Sequence, residues 1–155
     1  MTRSLTRTMM HLLPLVLAAS PFAAIADEAG HHPAYLHALS DLRTARSLIE
    51  ARGGDARMGG EEHAAVAHLD EAITEVTAAA THDGKNVGMK EPTDEKIDRA
   101  GKLHRAEDLM SAARKDLLER EDDPTTRAMR DHAVAHLDDA LKATHNAIVD
   151  FQTHK

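Results

Sequence analysis

The chain has 155 residues and no Cys, and its 19 Lys and Arg against 26 Asp and Glu give a formal net charge of −7. The absence of Cys excludes disulfides, thiolate metal sites, iron–sulfur clusters and covalently attached haem. With no Trp, one Tyr and two Phe, the chain also lacks the aromatic side chains on which nucleic-acid modules stack bases.

Residues 1–26 have the order of features that is typical of a secretory signal peptide. Two arginines precede the apolar run Leu12–Ala19, and the small side chains of Ala24 and Ala26 predict cleavage before Asp27. The protein is then periplasmic or secreted. A membrane anchor is the alternative, but the apolar stretch is short and broken by prolines, whereas a bilayer core is about 30 Å thick. An exported acidic chain suits cations better than nucleic-acid phosphates or anionic lipid.

Four segments have apolar residues at helical spacing, and strong helix breakers separate them. No window alternates in the way that a strand does. The helices are predicted over about Pro33–Arg52, Gly60–Ala80 and Pro92–Arg120, and from the Asp123–Pro124 start signal to about Gln152. Hairpin one then covers about 33–80, a linker covers 81–91, and hairpin two covers about 92–152.

One stretch of the chain is repeated. Ala65–Ile73 recurs as Ala133–Leu141, and the same offset in residue number, which we call the repeat offset, pairs Arg46 with Arg114. Duplication of a helical hairpin predicts an all-α fold, an antiparallel up-down four-helix bundle formed by two tandem helical hairpins. The alternative is an extended pair of hairpins that closes only by dimerising, so the expected state is a monomer or a homodimer.

The unusual residue count is 12 His. In the fourth predicted helix, the i, i+4, i+7 spacing of His132, His136 and Asp139 stacks three possible metal ligands on one face. Imidazole and carboxylate together favour Cu(II), Ni(II) or Zn(II) over hard cations. The alternative is a solvated face that happens to contain two histidines.

The repeat partner of His136 is His68, which is followed on the same face by Glu71 and Glu75. These residues predict a second, more oxygen-rich metal site, or else a half-buried histidine that bonds to the acids of its own helix. His31, His32 and His37 lie at the entrance to the first predicted helix, and this loose histidine cluster near the predicted new terminus is expected to bind Cu(II) or Ni(II) weakly.

Arg46 and Arg114 fall on apolar helix faces, where an unpaired guanidinium would be costly. Their expected partners are Glu107 and the carboxylates of Glu71 and Glu75, in a buried layer of ion pairs that fixes the register of the helices. The alternative is a pocket for an anion or a substrate.

The repeated unit A-V-A-H-L-D-[ED]-A-[IL] resembles the periplasmic small metal-binding proteins, which are exported, Cys-free, His-rich helical bundles with repeats of the type A-V-x-H-x-x-E-A. The resemblance implies a bundle that holds divalent transition metals without catalysis. Residue by residue, it points to His68 with Glu71 and to His136 with Asp139. The chain departs from that pattern because its repeat is a long hairpin and its histidines are less dense.

The patterns together predict an exported metal-binding or metal-buffering bundle for Cu, Ni or Zn that is not an enzyme. Its serines lie on predicted helices without an adjacent His–Asp pair, and no glycine-rich phosphate loop follows a strand. Haem is not expected, because Met110 points into the predicted core without a facing axial His. The alternative function is a periplasmic structural or stress-related interaction module whose histidines act as a pH-dependent charge switch.

Overall fold

The computed structural model describes residues 32–51, 58–88 and 96–153, which form four α-helices and no strand. The predicted all-α bundle is thus confirmed, while the predicted signal peptide lies outside the described residues. None of the described helices combines the length and the hydropathy that a membrane span requires. The helices are α1 (Tyr35–Glu50), α2 (Gly60–His82), α3 (Arg99–Leu117) and α4 (Pro124–Thr153).

Aspartate caps explain where the two helices of the second hairpin begin. The Asp123 carboxylate accepts a hydrogen bond from the Thr126 backbone N–H at 2.8 Å, and α4 starts at Pro124 as predicted. For α3, the Asp98 carboxylate accepts from the Gly101 N–H at 2.8 Å. Helix α3 therefore begins at Arg99 rather than near the predicted Pro92. The Asp98 side chain pairs with a backbone N–H that would otherwise be unsatisfied at the start of the helix, and a proline side chain has no acceptor for it.

Four pairs of helices pack together: α1 with α2, α1 with α3, α2 with α4, and α3 with α4. Each of these pairs is antiparallel. The start of α1 meets the end of α3, and the Glu61 and Asn146 side chains join the start of α2 to the end of α4 at 3.2 Å. The diagonal helices α2 and α3 therefore point the same way.

This arrangement makes the two hairpins symmetric partners. Under the repeat offset α1 is equivalent to α3 and α2 to α4, and it is these equivalent helices that pack on each other across the hairpin boundary. Contacts between identical patches in antiparallel orientation define a local twofold axis, as in an isologous dimer. The repeat thus closes the bundle within one chain.

Small side chains occupy about half of the apolar core, and they are concentrated between α2 and α4. The fully buried alanines there come from both copies of the repeat, and they include Ala65, Ala72, Ala133 and Ala140. Because the distance between packed helices depends on the side chains at the contact, alanines bring these two helices close together. Short imidazoles at the edge of this seam can therefore meet.

The predicted buried layer of arginine ion pairs is wrong in both burial and partners. Arg46 Nε lies 2.5 Å from Asp70 Oδ1, and Arg114 Nε lies 2.5 Å from Asp138 Oδ1. All four side chains are between 34% and 52% exposed. Two ion pairs at equivalent positions thus lie on the surface, because each guanidinium extends along the seam of its own hairpin towards water.

One end of the bundle is closed by a buried polar network. The hydroxyl of the fully buried Tyr35 donates to Glu121 Oε2 at 2.5 Å, and the pKa of Tyr35 is raised, chiefly by burial and then by this hydrogen bond. Glu121 Oε1 lies 3.0 Å from His32 Nδ1, which is also 3.1 Å from Asp83 Oδ1. Three segments of the chain are joined here, which holds the start of α1 beside the end of α3.

Candidate metal centre

The histidines of the repeat, His68 and His136, come together across the α2–α4 seam. Their ring centroids lie 6.3 Å apart with 31° between the ring planes, and both side chains are partly buried. The spacing along the sequence assigns them to two separate ligand sets, one on each helix. The structure instead places one imidazole from each set in contact.

The predicted trio His132, His136 and Asp139 is not brought together. Among the described residues, it is not a group whose ligand atoms lie within 4.8 Å of one another. The spacing does align the three residues on one face of α4, but side chains a turn apart project in parallel towards solvent rather than converging. The 71% exposed His132 instead faces α2, with its Nδ1 at 4.0 Å from Glu75 Oε1.

The second predicted set of metal ligands is not brought together either. His68, Glu71 and Glu75 lie along one face of α2, but they too do not converge within 4.8 Å. Among the described residues His68 makes no hydrogen bond to the acids of its own helix, so that alternative is also not seen. At the terminus, His32 is held between Asp83 and Glu121 in the polar network, whereas His31 lies outside the described residues.

Among the described residues, one group has metal-ligand atoms that all lie within 4.8 Å of one another: His37, Asp41 and Asp116. We call this group the α1–α3 cluster. His37 and Asp41 are one turn apart in α1, and Asp116 comes from the last turn of α3. His37 Nδ1 bonds to Asp116 Oδ2, and its Nε2 lies 4.0 Å from Asp41 Oδ2.

Charge accumulates at the α1–α3 cluster. The pKa of His37 is raised above its ordinary value, mainly by the hydrogen bond to Asp116 and then by the charge of Asp41. The pKa of Asp41 is also raised, chiefly by burial, with a further contribution from Asp116 and a partial offset by His37. Two carboxylates close to one imidazole thus favour an added positive charge, which a proton or a metal ion can supply.

The sequence pattern places His37 in a loose histidine cluster with His31 and His32, but it does not pair this residue with Asp41 or Asp116. His37 and Asp41 have the same i, i+4 spacing that singled out His132 and His136. The third member lies in the other hairpin, and only the antiparallel packing of α3 on α1 brings it near. The spacing alone therefore identifies two of the three residues and cannot identify Asp116.

The three groups of the α1–α3 cluster offer one nitrogen ligand and two oxygen ligands. His37 is 64% exposed while the two aspartates are 15% and 18% exposed, so an ion can enter from solvent and meet partly buried carboxylates. Ligands around one ion lie about 3–4 Å apart when each bond is about 2 Å long. Small side-chain rotations are therefore enough to close the cluster around an ion.

Comparison of the chain with protein-family models, with curated proteins and with solved structures finds no match.

Proposed function

We propose that this protein is an exported, non-catalytic helical bundle that binds or buffers divalent transition metal ions. The observation that carries the proposal is the α1–α3 cluster, in which His37, Asp41 and Asp116 present ligand atoms within 4.8 Å of one another. The signal-like segment 1–26 and the resemblance of the repeated unit to periplasmic small metal-binding proteins support the export and the class of ligand.

The chemistry of the cluster narrows the choice of ion. Imidazole with carboxylates suits Cu(II), Ni(II) and Zn(II), and two carboxylates compensate the charge of a divalent cation. Three protein ligands leave at least one coordination position for water. An open, solvent-facing site exchanges its ion readily, which is what buffering requires.

Calorimetric titration of the protein with Cu(II), Ni(II) and Zn(II) tests this function. We expect binding by the wild type, and a loss of affinity of about tenfold or more at one site for His37→Ala or Asp116→Asn. The matched control is His104→Ala, an exposed histidine on α3 outside the cluster. Wild-type heats equal to those of both cluster variants for all three ions would overturn the proposal.

A pH-responsive interaction module is the second candidate, and one observation favours it. Within the part of the chain that the structure describes, six histidines have a ring nitrogen within 4.0 Å of a carboxylate: His32, His37, His82, His104, His132 and His145. Protonation between about pH 7.5 and pH 5 would convert such contacts into ion pairs and would reduce the negative charge of the chain. Light scattering over that range without metal should then show a change in association state, and an unchanged particle size would contradict this candidate.

A further inference from the structure

His68 and His136 lie at the local twofold axis of the molecule. They occupy equivalent positions under the repeat offset, and their rings contact each other. When two equivalent residues touch across a symmetric interface, the axis passes between them. The contact is therefore a property of the duplicated architecture.

These two rings also differ from the six histidines that face carboxylates. Among the described residues, neither His68 nor His136 makes a hydrogen bond or an ion pair, and the contact of each is with the other ring. Both residues are partly exposed to solvent. Two imidazoles that bind one ion at about 2 Å have centroids about 5–6 Å apart, depending on the bond angle. The observed 6.3 Å is close to that separation.

Carboxylates are present at the same level of the seam. His132 lies opposite Glu75, and α2 and α4 are antiparallel, so the residue one turn further along α4 is level with the residue one turn back along α2. This register places Glu71 level with His136 and Asp139 level with His68. Glu71 and Asp139 are themselves equivalent under the repeat, and both are exposed.

We propose that the paired rings of His68 and His136 form the core of a second metal site between the two hairpins, which Glu71 and Asp139 complete by rotation of their side chains, since no three of these four groups have ligand atoms within 4.8 Å of one another. The proposal rests on the proposed metal-binding function and deepens it. The site takes one divalent ion, and its two imidazoles make it richer in nitrogen than the α1–α3 cluster. Cu(II) is therefore the ion that it should prefer. The ion joins α2 of one hairpin to α4 of the other and so holds the hairpins together.

The direct test is NMR of the histidine rings of the wild type during addition of substoichiometric Cu(II). We expect the ring signals of His68 and His136 to broaden together, because both nitrogens would be bound to the same paramagnetic ion. The double variant His68→Ala/His136→Ala should lose one bound equivalent of Cu(II), and the rise in melting temperature that Zn(II) produces in the wild type should shrink. The matched control, His104→Ala/His145→Ala, removes two exposed histidines that flank Glu107 and should retain both effects.

The outcomes separate this site from the α1–α3 cluster. Broadening confined to His37 would overturn the inter-hairpin site and leave the proposed function standing, whereas the absence of any broadening would overturn both. Equal broadening of all histidine rings at the same Cu(II) concentration would also overturn it, because the ion would then have no preferred site. The wild-type spectra need no variant to fold, and circular dichroism checks the helix content of the double variant.

Discussion

At the level of single side chains, His37 is the group whose charge state matters most to the candidate site. The Asp116 hydrogen bond raises its pKa in the folded protein. A raised pKa means that the protonated ring stabilises the folded state fully below the pKa of the unfolded chain, and that this contribution is lost as pH rises through the folded pKa. Since a metal ion needs the neutral ring, protons and metal compete for His37.

The pH dependence of the free energy of unfolding follows from the raised pKa of His37. We expect His37→Ala to destabilise the protein at about pH 5–6, by a small amount because the ring is largely exposed, and to have a vanishing effect at about pH 9. Urea unfolding of both proteins across that pH range measures the difference. NMR titration of the wild type should place the His37 pKa above its ordinary value.

The control for this prediction is Asp116→Asn, which removes the charge of the carboxylate and weakens its hydrogen bond to the protonated ring. In that background the His37 pKa should fall, and His37→Ala should produce little pH-dependent change. A stability difference between wild type and His37→Ala that grew with rising pH would contradict the assigned direction.

At the level of helices, each hairpin carries the same bridge between its two elements, Arg46 with Asp70 and Arg114 with Asp138. The arginine Nη2 of each also lies near the second carboxylate oxygen, at 3.3 Å and 3.2 Å. Two contacts between a guanidinium and a carboxylate fix the relative orientation of the two side chains, but water competes for both partners. The bridges therefore set register more than they add free energy of folding.

We expect Asp70→Asn and Asp138→Asn each to lower the free energy of unfolding by less than about 1 kcal/mol, because exposed ion pairs contribute little. The loss should be smaller for Asp70→Asn, because Arg46 keeps a second partner in Glu50 at 2.6 Å whereas the equivalent position beside Arg114 is Leu118, and both losses should shrink as salt is raised. Chemical denaturation at low and high ionic strength measures them. A loss of several kcal/mol at either position would contradict the assignment of these bridges to the solvent-exposed surface.

At the level of the whole molecule, helical spacing and the repeat were enough to predict the bundle and the identity of its two hairpins. Leu69 and its repeat partner Leu137, for example, are both fully buried. The grouping of ligands could not be predicted in the same way. Spacing along one helix shows which side chains share a face, but His68 meets His136, and Asp116 meets His37, only through the packing of different helices.

The local twofold axis also has a consequence for the history of the chain. A single ancestral hairpin that paired with a copy of itself would already have placed two identical histidines together, so the contact between His68 and His136 can be as old as that pairing. The positions equivalent to His37, Asp41 and Asp116 are Arg105, Leu109 and Leu48, none of which offers a nitrogen or oxygen ligand of that kind. We infer that the α1–α3 cluster arose, or was lost from one half, after the gene fused two copies, once each half was free to diverge.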